Sequence, residues 1–401
     1  LEPFPGIRVN LHALYEENRR SEYRFMYGEI PEIQGGSFAI SIISLFSAFE
    51  RNKAGRQYHS TSFGRFMEYR AVIAGRVRDQ YAGSLYPQEG FLNGSTLAGE
   101  AFSGNSGDVK PNSADVLIPA FLAAYTGKSA EKIALTPFPA LSTMLPNWDL
   151  SVSLTTLMPA LQQPFSELML THRYLAQYRI GSYNTHLSWV PAGQQTALGF
   201  IRDVITGAPE PSSPYDIRSA TITESFNPLF ELRASFHNQL HCNIRLNRTR
   251  SLNLNISSYQ IMEMRENDLV IGGGYRIPDF GRLANITTGT GVPHRRSASQ
   301  QHKRKNEAVK DDGAFRNDLT LRFDLSLKKT EALIRRMTEG NSQPTSGIQT
   351  GSLRFSADYA VSRQLTLRAF YDRMVRKPLV SSFAPPTASN SAGISLRIHF
   401  R

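Results

Sequence analysis

Alternation with a period of two residues runs through this chain and limits what it can become. In LTLRFDLSLK, Leu319, Leu321, Phe323, Leu325 and Leu327 share one parity, while Thr320, Arg322, Asp324, Ser326 and Lys328 share the other. Successive side chains of a β-strand point to opposite faces, so this spacing writes a strand with an oily face and a wet one. The stretch LRFSADYAV repeats the scheme, with Leu353, Phe355, Ala357, Tyr359 and Val361 set against Arg354, Ser356, Asp358 and Ala360. GISLRIHFR does so again, placing Ile394, Leu396, Ile398 and Phe400 opposite Ser395, Arg397 and His399.

Read on this principle, strands fall near 226–237, 240–248, 251–262, 268–277, 314–328, 329–338, 350–361, 364–376 and 392–400. Many are long. At ~3.3 Å per residue, a nine-residue strand spans roughly 30 Å, the thickness of a hydrocarbon core. Strands of soluble domains usually stop at about five or six residues. The connections alternate too: HNQ (237–239), KKT (328–330) and VSRQ (361–364) are short, while 278–313, 339–351 and 377–392 are long. An antiparallel meander with short turns at one end and long loops at the other is the plan of an outer-membrane barrel. With the last strand ending in the periplasm, the tight turns fall on that side and the long loops outside.

The first half is less regular. Residues 1–47 contain strand patterns at 7–14 and 36–44, and further ones stand at 149–157 and 166–178. Between them, 48–146 reads as a helix-containing insertion. FGRFMEYRAVIAGRV spaces Phe63, Phe66, Met67, Ile73, Ala74 and Val77 as an amphipathic helix. SADVLIPAFLAAYTG predicts a second helix, bent or started at Pro119 and stopped at Gly127. Strand parity puts the insertion on the periplasmic side, against the barrel end or lumen. Residues 147–401 carry the main run of barrel strands, with extracellular loops at 191–225 and 278–313 and a closing strand at the C-terminus. The chain opens at Leu1, which suggests a piece of a larger polypeptide.

The two faces imply two environments. Leu321, Phe323, Leu325, Phe355, Ile394, Leu396, Ile398 and Phe400 are the expected lipid-facing set. Arg322, Asp324, Arg354, Asp358, Arg368, Asp372, Arg397 and His399 are the expected lumen-facing set. Charges in a dry interior would each cost several kcal/mol, about 2–7 for a polar group and more for an ion, so the lumen should hold water. Their mixed signs suit a general aqueous wall better than an ion filter. A soluble β-sandwich also buries every second residue and is the competing explanation of the alternation. Strand length and the asymmetry of the turns favour the barrel.

The excess of 45 Lys and Arg over 34 Asp and Glu attracts polyanions, but the densest basic run, HRRSASQQHKRK at 294–305, reads as a solvated loop. No nucleic-acid partner is expected. The longest apolar runs, 38–46 and 116–125, fall short of the ~20 residues that a spanning helix needs. Cys242 is the one cysteine and lies in phase with Leu240, Ile244 and Leu246, as a small apolar residue would. GNSGD (104–108) lacks the His and Asp context of a serine nucleophile. Gly272, Gly273 and Gly274 sit inside a strand, where glycine relieves curvature or admits a close neighbour rather than cradling phosphate. The histidines are scattered without metal-ligand spacing. Acceptor-like Asn93, Asn247, Asn255 and Asn285 would matter only in a secreted eukaryotic protein. The expectation is a protein that is not an enzyme and holds no cofactor or metal.

Several stretches together resemble one family. DVLIPAFLAAYTGK, LTPFP, LPNWDLSVSLTTL, IGSYNT, VIGGGYRIPDFG, NDLTLRFDLSLKK and LRAFYDRMVRKPLVSSFAPPTASNSAGISLRIHF are similar, in order, to the C-terminal region of the SprA/Sov proteins. These are the outer-membrane translocons of type 9 secretion in Bacteroidetes. The chain departs from the family in ending on Arg401 and in a longer, more basic 281–313. The resemblance implies part of a very large single-chain barrel exporting folded cargo with a C-terminal sorting domain, and serving gliding motility in gliding organisms. It implies as partners a PorV-type shuttle barrel, a periplasmic plug protein and the cargo, with energy from an inner-membrane motor. Another outer-membrane barrel, a porin or an assembly component, is the alternative, and a soluble β-rich adhesin a more distant one.

Overall fold

A computed structural model of the chain describes residues 2–22, 33–50, 58–105, 109–192, 195–283, 317–362, 364–380 and 385–398. The fold is mainly β, with a large antiparallel sheet and few helices. The central path of the sheet begins with β1 (Ile7–His12), β4 (Asn147–Ser153) and β5 (Phe165–Thr185). It continues through β10 (Ser219–Phe236), β11 (Leu240–Asn255), β12 (Gln260–Ile277) and β13 (Leu319–Arg336). It closes its run with β14 (Ser342–Ala360), β15 (Leu365–Pro378) and β16 (Thr387–Ile398). Off this path, β2 (Tyr15–Glu22) pairs with β3 (Ile33–Ser41), which lies beside β5, as does the short β9 (Tyr215–Ile217). A small separate sheet is formed by β6 (Val190–Ala192), β7 (Gln195–Arg202) and β8 (Pro209–Ser212).

The strands from β10 onward are longer than the pattern reading gave them. The expected segments 314–328 and 329–338 are one strand, β13. KKT is therefore no turn: Lys328 sits opposite Asp268 and pairs with Glu266 at 2.8 Å, and Lys329 pairs with Glu331 at 2.6 Å. The segments 240–248, 251–262 and 268–277 resolve into two strands, β11 and β12, joined by a tight turn at 256–259. Most of 339–351, expected as a loop, is the start of β14. The expected loop 191–225 holds the small sheet, β9 and the beginning of β10.

These shifts change the ends. The tight turn at 237–239 and the short connection from β14 to β15 lie at the end of the sheet where β16 finishes, here the terminal end. Tight turns at 256–259 and 337–341 lie at the other end. The connection from β12 to β13 leaves from the terminal end, while that from β5 to β10 leaves from the opposite one. The two long connections expected on one side are thus at opposite ends. Most of 278–313, including the basic run, lies outside the described residues, as do His399 and Phe400.

A one-turn helix, α1 (Leu45–Ala48), leads into the insertion, which carries two longer ones, α2 (Thr61–Gln80) and α3 (Ala114–Thr126). Ser60 caps α2, accepting from the Phe63 amide at 3.2 Å. α3 begins well before Pro119 and keeps that proline inside, then stops at Gly127, whose φ of 74° suits a residue without a Cβ. Residues from Asp115 to Tyr125 are buried on every side, so α3 is a core helix. It shares one buried core with Tyr174, Tyr178, Ile222, Leu252, Leu254 and Ile261 of the sheet. These are strand residues near the end away from the terminal one. The insertion therefore sits at the opposite end from the finish of β16, not on the same side as expected, and we call this the insertion end.

A buried charge cluster fixes the insertion to the sheet. Glu263 accepts from Arg250 Nε at 3.0 Å, Arg265 Nε at 2.5 Å and Arg335 Nε and Nη2 at 2.9 and 2.6 Å. The guanidiniums then reach the insertion backbone. Arg250 donates to the Ser47 carbonyl at 2.7 Å, Arg248 to that of Ala48 at 2.8 Å, Arg335 to that of Tyr58 at 2.9 Å and Arg265 to that of Glu50. Carbonyls left open at the end of α1 thereby meet cations, the polarity they favour. Ser44 Oγ adds a 2.8 Å hydrogen bond to Glu224.

One carboxylate therefore holds three buried arginines. Removing one partner of such a cluster leaves charge without compensation and costs about 3–5 kcal/mol. Glu263→Ala is expected to destabilise by that amount and to expose 48–146 to limited proteolysis. Asp149→Ala, which breaks the partly exposed pair with Arg173, should shift the denaturant midpoint by less than about 1 kcal/mol.

Candidate functional site

The sheet presents two surfaces of opposite character, and the pairing register shows which residues share each. One row runs Ile7, Val152, Leu170, Leu232, Ile244, Ile271, Leu325 and Leu353 from β1 to β14. Two residues toward the terminal end, Cys242, Gly273, Phe323, Phe355 and Tyr371 stand side by side. Beyond them come Leu321, Ala357, Ala369 and Ile394, then Tyr359, Leu367 and Leu396, then Leu365 and Ile398. Every described member of the expected lipid-facing set, Leu321, Phe323, Leu325, Phe355, Ile394, Leu396 and Ile398, thus lies on one surface. Cys242 belongs to it as the sequence suggested.

The first half contributes as well. Val9, Leu150 and His172 form the row beside Ile7, Val152 and Leu170, and Leu11, Trp148 and Tyr174 the next. The alternation in IRVNLHAL already carried this signal, although the sequence reading assigned no face to it. The belt therefore crosses the whole path from β1 to β16. It is also bare: Ile394, Leu396 and Ile398 are 75%, 62% and 54% exposed. Scattered apolar residues on a surface mean little, but a contiguous band of this extent needs an apolar environment.

The belt is oblique to the hydrogen-bonded rows. Its margin toward the insertion end lies at Leu327 on β13 and at Leu353 on β14, where the partner of Leu327 is Gly351. On β15 it lies at Tyr371, the partner of Phe355, and Arg373 and Asn390 stand beyond it. The margin thus steps about two residues toward the terminal end at each of these strands. A band that stays level while its strands tilt, as barrel strands do by about 35–45°, must cross the rows in this way. On β13 it extends from Leu319 to Leu327, roughly 25–30 Å along a strand at ~3.3 Å per residue.

Past that margin the same surface turns polar at Arg248, Asn267 and Lys329, then at Arg250, Arg265 and Glu331. There the insertion covers it. The helices therefore lie on the belt's side of the sheet, not on the polar side where a lumenal insertion would sit.

The opposite surface carries every described member of the expected lumen-facing set, Arg322, Asp324, Arg354, Asp358, Arg368, Asp372 and Arg397. Asp324, Arg354 and Asp372 stand in one row, with signs alternating strand by strand. Asp358 and Arg368 are direct neighbours in another, and Arg397 lies opposite Thr366. Asp358 pairs with Arg322 at 3.4 Å and with Arg368 at 3.6 Å. A hollow of about 500 Å³ opens among Arg322, Asp324, Arg354, Arg368, Asp372 and Ser395. Solvated cross-strand pairs of this kind contribute little to stability, about 0–1 kcal/mol each. What they do is keep the surface wet without a dominant sign.

Glycines let this surface pack. A Cβ on Gly272 would meet Asn243 Oδ1 at 2.2 Å and Asp324 Oδ1 at 3.1 Å, so side chains from both neighbouring strands use its space. This matches the close approach expected there. Gly273, on the belt side, has nothing closer than 3.7 Å. Similarly, the Phe370 ring lies over Gly393 on the neighbouring strand, 2.8 Å from where a Cβ would stand.

Among the described residues, no three His, Cys, Asp or Glu side chains are grouped to hold a metal, and no helix is long and apolar enough to cross a membrane. Neither a protein-family model nor a curated protein sequence matches the chain.

The glycine contrast gives a direct test. Gly272→Ala should make the Asn243 and Asp324 side chains swing aside and lower the denaturant midpoint by the equivalent of up to about 1 kcal/mol. Gly273→Ala, one residue on and facing the other way, should be neutral or raise stability by about 0.5–1 kcal/mol.

Proposed function

We propose that this chain forms part of the wall of a large outer-membrane β-barrel, with the belt against lipid and the charged surface lining an aqueous lumen. The supporting observation is the single apolar band, tilted against the rows and backed by a mostly polar surface that carries Arg322, Asp324, Arg354, Asp358, Arg368 and Asp372. Among the described residues, the outer edges of β1 and β16 have no partner in the sheet. Unpaired backbone amides cost several kcal/mol each in hydrocarbon, so on this reading each edge meets a further strand and the wall continues until it closes. The terminal end faces the periplasm, and the insertion end, with its helices, faces the exterior.

The SprA/Sov resemblance refines the proposal to a protein-conducting translocon of type 9 secretion, exporting folded cargo that bears a C-terminal sorting domain. The lumen surface suits that task. Its arginines and aspartates are interleaved strand by strand, and Asp358 pairs with both Arg322 and Arg368, so a passing protein of either charge meets no single-sign barrier. A PorV-type shuttle barrel, a periplasmic plug and the cargo are the proposed partners, and gliding motility the proposed further role in gliding organisms.

Charge placement on the two faces tests both levels. Phe323→Arg sets a cation in the belt, where the cost near the bilayer midplane is about 2–4 kcal/mol. Ser326→Arg sets one on the wet face, where Asp268 lies 3.1 Å from the serine hydroxyl. In the full-length protein, Phe323→Arg should impair membrane assembly and leave sorting-domain cargo in the periplasm. Ser326→Arg should assemble and export. Equal assembly of the two variants would contradict the face assignment, and normal assembly of the wild type without cargo export would contradict the translocon.

A further inference from the structure

An apolar cavity of about 470 Å³ opens between the C-terminal half of α3 and the loop that follows it. Ile42, Ile43, Leu122, Ile133, Phe138 and Leu145 form its walls. Its size falls within the ~300–1,000 Å³ of small-molecule sites. Local contacts hold it open. Arg76 Nη1 donates to the carbonyls of Ala130 at 2.6 Å and Ile133 at 2.9 Å, pinning the loop to α2. Tyr178 donates from its hydroxyl to the Pro137 carbonyl at 3.0 Å, pinning it to the sheet.

Two features indicate what fills it. The first is charge: Lys128 and Lys132 line the cavity and are exposed, and neither has an ion pair among the described residues. The second is continuity with the belt. The Leu145 amide donates to the Ser41 carbonyl at 3.2 Å, and Ile42 bonds to Ala176 of β5 at 3.1 Å. Three residues beyond Leu145, Trp148 packs on Tyr174 with ring centroids 4.5 Å apart, at the belt's margin toward the insertion end. Leu145, 38% exposed, lines the cavity and stands three residues from Trp148, so its apolar surface joins the two.

We infer that this cavity takes an acyl chain from a lipid of the adjoining leaflet whose headgroup carries a net negative charge, with Lys128 and Lys132 holding that headgroup. The inference rests on the membrane reading above, because the belt is what brings lipid to the cavity. An oily slot with two cations beside it matches an anionic amphiphile. A neutral lipid would leave the lysines unused, and a hydrophilic phosphate compound would leave the slot empty.

The test uses full-length protein in phosphatidylcholine nanodiscs containing a trace of phosphatidylglycerol with a photoreactive group at the end of one acyl chain. Labelled peptides are mapped after irradiation. The belt peptide around Phe323 reports lipid contact in general, and the peptides carrying Leu122 and Ile133 report the cavity. Cavity labelling is expected in the wild type, and a photoreactive phosphatidylcholine should give at least fivefold less. Ala134→Trp, at an exposed position lining the cavity, should lower cavity labelling at least fivefold with belt labelling unchanged. Lys128→Glu combined with Lys132→Glu should do the same for the anionic probe.

Belt labelling without cavity labelling would overturn the cavity proposal and leave the membrane reading standing. The same holds for cavity labelling indifferent to headgroup or to Ala134→Trp, and for a cavity found cross-linked to polypeptide instead of lipid. Absence of labelling at both places would overturn the membrane reading and the cavity proposal with it.

Discussion

Side chains on neighbouring strands share a face only when the register keeps their parity, and the rest of this structure depends on that constraint. A slip of one residue between any two strands would carry leucines to the wet surface and arginines to the oily one. From β11 to β16 the described pairing preserves parity across the whole belt, and the one break, a one-residue bulge of β14 that sets Leu333 opposite Pro344, lies past the margin toward the insertion end. The consequence is a sheet whose two surfaces ask for different solvents. Its belt cannot be covered by a second sheet at the insertion end, because there the same surface is already occupied by α2 and α3.

That occupation explains the change of character along each strand. Below the margin, the belt surface is Leu246, Leu269 and Leu327; above it come the arginines that grip α1. A single long strand therefore serves two purposes in succession. Glu263 is central to the upper one, since it alone among the described residues binds Arg250, Arg265 and Arg335 together. Buried ion clusters of this kind are weak sources of stability compared with apolar packing but strict about geometry. Here that strictness fixes where the insertion sits on the sheet.

The same division decides how much of the fold could be read from the sequence. Parity is a local property, so Leu321, Phe323, Ile394, Arg322 and Asp324 revealed their faces without knowledge of the fold. Strand ends did not. Around Arg248, Thr249 and Arg250, and around Lys328, Lys329 and Thr330, both faces are polar, and a pattern reading takes such a stretch for a turn. The information that would correct it is long-range: Arg250 faces Ser47, some two hundred residues away in sequence. One missed strand continuation then reversed the assignment of the connection after Ile277. The helices themselves were legible because their caps are local, Ser60 at the start of α2 and Gly127 at the end of α3.

The central claim, oil on one side of the wall and water on the other, is tested most directly by spin-label accessibility along β13. Single cysteines at positions 320 to 325 in a Cys242→Ala background would each carry a nitroxide in membrane-inserted, full-length protein. The account predicts alternation: labels at Leu321, Phe323 and Leu325 relaxed by oxygen dissolved in lipid, and those at Thr320, Arg322 and Asp324 by a water-soluble nickel chelate. Labels at Leu321, Phe323 and Leu325 shielded from both reagents would mean a second protein layer in place of lipid, and would contradict it.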